Sequence, residues 1–128
     1  VFLLTGVALG FVMLVRRDLL AEWPTRDVVS AHTHLILVGA MLEMIIGTAW
    51  WLFPRPGRRD PAAPAWAAEA AWWLLTLGTA LRAGAEATGV RGWLSVVGGL
   101  GQLLGIAAAV LALRRRVRPS RSLPAAGE

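Results

Sequence analysis

The chain has 128 residues, 56% hydrophobic and 16% charged, and a mean hydropathy of +0.58, a balance that excludes an ordinary water-soluble domain. Its formal net charge of +5 arises from 13 Lys+Arg against 8 Asp+Glu, set in short clusters between long apolar runs; this is a membrane-topology pattern and speaks against nucleic acid as a partner. The lack of cysteine removes disulfides, zinc-thiolate sites, iron-sulfur clusters and cysteine nucleophiles together.

Four apolar blocks predict an all-α, integral membrane four-helix bundle. It forms one transmembrane domain over residues 1–118, with spans near 1–15, 28–53, 65–82 and 93–114. About 20 helical residues cross a hydrocarbon core of roughly 30 Å, so the second and fourth blocks span comfortably and the third spans with its flanks. The first block is short, begins at Val1 and stops at Arg16, Arg17 and Asp18; it reads as a span. A cleaved signal peptide is the rival reading, but a basic leader and a small-x-small cleavage site are missing.

The connection over 16–27 sets Arg16, Arg17 and Arg26 against Asp18, Glu22 and Asp27, and the one over 82–92 sets Arg82 and Arg91 against Glu86. Both are nearly neutral. The connection from Pro54 to Pro64 carries Arg55, Arg58 and Arg59 against Asp60, and the chain end carries Arg114, Arg115, Arg116, Arg118 and Arg121 against Glu128. The positive-inside rule therefore places both termini in the cytoplasm, with residues 119–128 a disordered cytoplasmic tail. Trp23 and Trp93 then mark the outer interface, and Trp50, Trp51 and Trp66 the inner one, while Trp72 and Trp73 lie deeper and pack within the bundle.

The second span contains ionisable groups that hydrocarbon does not tolerate without a reason: His32, His34 and Glu43. Residues two apart stand about 200° apart around a helix, so the two imidazoles cannot face one point. By three, four and seven spacing His32 shares a face with Ile36, Gly39, Glu43, Gly47 and Trp50, and the two glycines make that face flat enough for another helix or a porphyrin plane. His34 shares a face with Val38, Met41, Ile45 and Thr48. Neutral imidazole suits haem iron, copper or zinc, but the further donors are only Met13, Met41 and Met44, so one chain lacks the convergent nitrogens of a catalytic metal centre. A buried Glu43 acts as a proton or hydrogen-bond site. In the fourth span Gly98 and Gly105, seven apart, mark a packing face, and Gln102 seeks a partner across the bundle. Nucleophile, zincin and phosphate-loop motifs are missing, and no catalytic residue is assigned.

The stretch His32-Thr33-His34-Leu35-Ile36-Leu37-Val38-Gly39, continued by Gly47-Thr48-Ala49-Trp50-Trp51-Leu52-Phe53-Pro54, resembles the second transmembrane helix of haem-copper oxidase subunit I. It is most similar to the cytochrome cbb3 and nitric oxide reductase branch, and to short four-helix relatives covering only its front portion. The resemblance implies a low-spin haem b near the outer face, held by His32 in preference to His34 on account of the His-Thr step and the Gly39/Gly47 face, with His34 as a further candidate ligand. It implies an electron-transfer or redox-associated role in a bacterial inner (plasma) membrane. The chain departs from the family in having no histidine after His34, so it lacks the ligands of an oxidase or reductase centre and is not catalytic alone. A second axial ligand would come from a homo-oligomer, from Met13 or from another membrane subunit. Two alternatives stand beside this reading: a cofactor-free structural or assembly subunit of a respiratory membrane complex, and a copper or proton-handling protein using His32, His34 and Glu43.

Overall fold

The computed structural model describes residues 1–53, 65–90 and 92–114, and over these it is all-helical. Four helices are present among the described residues: α1 (Phe2–Leu20), α2 (Arg26–Leu52), α3 (Ala65–Ala87) and α4 (Trp93–Arg114). The Pro54–Pro64 connection, Arg91 and the chain from Arg115 onward, including the expected tail at 119–128, lie outside the described residues. So do most of the arginines on which the orientation depends.

Charged residues do not end these helices where the hydropathy falls. Helix α1 runs on through Arg16 and Arg17 to Leu20, because Arg17 Nε lies 2.7 Å from Asp18 Oδ1 on the exposed surface and neither side chain competes with the backbone. What stops it is Ala21 in the left-handed region at φ 53°, with the Glu22 N–H donating to the Arg16 carbonyl at 3.0 Å in a Schellman-type closure. Helix α2 starts on Thr25, whose hydroxyl accepts from the Val28 N–H, with Asp27 in the first turn. Helix α3 likewise passes Arg82 and Glu86, which the sequence places in a connection, and ends at Ala87, two residues before Gly89 turns the chain at φ 72°.

Within α2, residues His34–Leu42 form a π-helical stretch between two α-helical halves. Its N–H groups bond five residues back rather than four, so a residue four positions on falls short of a full turn. The π-helical stretch itself packs on both α1 and α3, while His32 above it faces α1 and Glu43 below it faces α3. The sequence pattern, which assumes a constant period, places His32, Gly39, Glu43 and Gly47 on one face. In the structure Gly39 meets Phe2 of α1, whereas Glu43 meets Thr76 of α3.

The principal packing runs in chain order, antiparallel throughout, and the α3–α4 pair is the most extensive. Gly98 and Gly105 lie on that interface as the seven-residue spacing predicts, and they meet Gly78 and Leu75 of α3. A Cβ on Gly98 would stand 2.7 Å from the Arg82 amide nitrogen, and one on Gly78 would stand 2.8 Å from the Gly98 carbonyl oxygen. Backbone thus touches backbone, which gives close dispersion and polar contact along the seam. Beyond this seam the interior is small: Leu75 and Thr79 are the largest fully buried side chains, and a second cluster joins Ala31, Leu35 and Ala83 with Phe2 and Leu9.

The large apolar side chains point outward instead. Helices α2 and α4 are long and apolar enough to cross a membrane, and only 11% and 28% of their apolar windows are buried. The core helix of a soluble protein would be mostly covered. Trp23 and Trp93 are exposed at one end of the antiparallel bundle, and Trp51 and Trp66 at the other. Trp72 and Trp73 are half-exposed and pack edge-to-face on each other, their ring centroids 4.7 Å apart.

Candidate functional site

The two histidines stand on opposite sides of α2 and serve different neighbours. His32 lies against α1, with Nδ1 2.8 Å from the Gly6 carbonyl oxygen, which fixes the proton on Nδ1. Its ring rests on Gly10, where a Cβ would come 2.8 Å from Cε1. Gly6 in turn receives Ile36, and Gly39 receives Phe2. The glycines flatten this face for α1, whose Phe2 ring lies over Gly39. Gly47, the other glycine of the expected cofactor face, has open space where its Cβ would be. Met13 sits near Val28 in the cleft at the top of α1, a turn above His32.

His34 turns to α3 and enters a polar chain that crosses three helices. Its Nδ1 lies 2.8 Å from the Ser30 carbonyl oxygen, and the same nitrogen stands 3.3 Å from Glu86 Oε2. One nitrogen carries one proton, and the shorter contact takes it, so Glu86 Oε2 has an electrostatic neighbour but no hydrogen bond. The other oxygen, Oε1, accepts from Arg82 Nε at 3.1 Å. The Arg82 guanidinium extends to Gln102 Oε1 at 3.5 Å, and the Gln102 amide donates to Thr79 Oγ1 at 3.1 Å. Gly99 makes room for the guanidinium, since a Cβ there would lie 3.1 Å from an Arg82 terminal nitrogen. This chain includes the cross-bundle partner that Gln102 demands.

Glu43 lies more than two turns below His34 on the lower half of α2. Thr76 Oγ1 donates to its Oε1 at 3.1 Å, and the carboxylate forms part of a cleft of about 590 Å³ walled by Phe2, Met41, Met44 and Trp72. His32, His34 and Glu43 therefore reach α1, Glu86 and Thr76 respectively and do not converge. Among the described residues no group of three or more His, Asp or Glu side chains gathers in a way that would hold a metal ion.

Sequence reasoning misses Arg82, Glu86, Thr76 and Thr79 as members of the site. Arg82 and Glu86 look like loop charges, although their four-residue spacing is the signal of a helical ion pair. The hydroxyls carry no signal, because threonine is common in such helices. Compared with family models, curated proteins and solved structures, the chain matches none.

Proposed function

We propose that this protein is a membrane-embedded structural or assembly subunit, a four-helix element without a prosthetic group of its own, that packs beside other membrane proteins. The observation that carries this reading is the commitment of its polar side chains within the apolar segments to other helices of the same chain. His32 is tied to α1, Glu43 to α3 and Arg82 to Gln102 on α4, while His34 stands 3.3 Å from Glu86 of α3. Such ties orient helices in a medium where apolar contact gives no preference for one neighbour over another. An exterior rich in exposed Leu, Val, Phe and Trp is the surface that lipid or a neighbouring membrane subunit covers. The resemblance of residues 32–54 to an oxidase helix makes a respiratory complex the setting to examine first.

One observation favours a second reading, haem b on His34. With the Nδ1 proton directed at the Ser30 carbonyl, the Nε2 lone pair is the one left for iron, the arrangement that orients ligating imidazoles. A second copy or a partner would then supply the other axial ligand. A single experiment separates the two: the protein is extracted from haem-supplied membranes, and its visible spectrum is recorded together with the mass of the intact assembly. The structural reading expects membrane extraction only by detergent and no Soret band. A Soret band with a sharp reduced α-band, lost in His34→Ala, overturns it in favour of haem.

A further inference from the structure

Glu43 is the acidic side chain of α2 that lies within its apolar run, and among the described residues no ion pair reaches it. Arg17 pairs with Asp18 and Arg82 with Glu86, while the Val1 amine, although Val1 lines the same cleft as Glu43, does not come within 4 Å of its carboxylate, nor does any guanidinium or imidazole among the described residues. Among the described residues the neutral Thr76 hydroxyl is the one hydrogen-bond donor to it. Yet it faces space rather than packed side chains. The cleft of about 590 Å³ opens beside it, and a smaller gap of about 150 Å³ continues below between α2 and α3, past Gly47, Trp50 and Ala68. Trp72 forms part of the wall of both.

We propose that this cleft binds a lipophilic monovalent organic cation, a quaternary ammonium or phosphonium bearing alkyl or aryl groups, with Glu43 as its counter-ion. The inference rests on the membrane-embedded reading above. Charge selects the ligand's sign: an ionised carboxylate in an apolar surrounding is costly alone and compensated by one opposite charge. The walls select its chemistry. One carboxylate and one hydroxyl fall far short of the six to eight oxygens that a calcium ion takes, and a hydrated inorganic ion would gain nothing from methionine and tryptophan. A bulky cation with a diffuse charge gains on both counts. Its apolar groups fill the volume against Met41, Met44 and Phe2, and the half-exposed Trp72 indole in the wall adds an aromatic surface of the kind that attracts a diffuse positive charge.

The test uses the full chain in detergent micelles, titrated with tetraphenylphosphonium and read by tryptophan fluorescence and calorimetry. The matched control is tetraphenylborate, which has nearly the same shape and the opposite charge. Saturable binding of the phosphonium is expected, at least tenfold weaker in Glu43→Gln, within threefold of wild type in Thr76→Val, and not competed by the borate. Equal binding of the two probes, unsaturable partition alone, or an unchanged affinity in Glu43→Gln overturns the site. Should Glu43→Gln fail to fold, the discrimination between the two probes by wild-type protein decides the matter. Detergent-dependent extraction of the same preparation is recorded separately, so that loss of the cation site and loss of the membrane reading give different results.

Discussion

The α1–α2 and α3–α4 pairs both depend on glycine, and they use it in different ways. Between α3 and α4, glycine faces backbone: the nearest atoms to a Cβ on Gly78 or Gly98 are amide nitrogens and carbonyl oxygens at 2.7–2.8 Å. Between α1 and α2, glycine faces side chains: Gly6 receives Ile36, Gly10 the His32 imidazole and Gly39 the Phe2 ring. A side chain can rotate away from an intruding methyl, whereas a helix backbone must translate as a whole. The α3–α4 pair is therefore the rigid half of the molecule, and α1 rests on an adjustable seat.

The largest effect expected from this contrast is at Gly98. Gly98→Ala should destabilise the protein by about 2–3 kcal/mol through overpacking against the Arg82 backbone, read as a lowered unfolding midpoint in micelles. Next comes Glu86→Gln, which leaves Arg82 half-buried without its counter-charge and should cost about 2 kcal/mol by the same measurement. Gly10→Ala should cost only about 1 kcal/mol, since His32 can yield, and its signature is loss of the His32–Gly6 hydrogen bond in imidazole nitrogen NMR shifts. Gly47→Ala carries no cost and should stabilise by up to about 1 kcal/mol, because nothing stands within 4 Å of the added methyl and alanine is the better helix former. If Gly10→Ala proved as damaging as Gly98→Ala, the distinction between the two seams would fall.

The four helices were legible because apolar blocks interrupted by Arg and Pro are a strong pattern, and the Gly98/Gly105 face was legible because its period is regular. The divergence of His32 and His34 followed from two-residue spacing alone. What escaped the sequence is what depends on departures from regularity. Nothing in His34–Leu42 marks it as wider-turned, since a run of leucine, isoleucine and valine fits an α-helix equally well; Gly39 and Glu43 still border one cleft, but toward different helices, Phe2 of α1 and Thr76 of α3. Arg82 and Glu86 were assigned to a connection because hydropathy falls there. Hydropathy reports the preference of each side chain for water, and a mutual ion pair removes the reason to leave the helix.

The wide-turned stretch of α2 makes the number of residues between His34 and Glu43 a structural setting in its own right. Excising one of them, the exposed Leu37 for instance, would let the helix close to ordinary pitch and swing its entire lower half about the axis. His34 would keep its hold on Glu86 while Glu43 turned away from Thr76. A change in count alone, with every interacting side chain intact, would rewire which helices α2 fastens together.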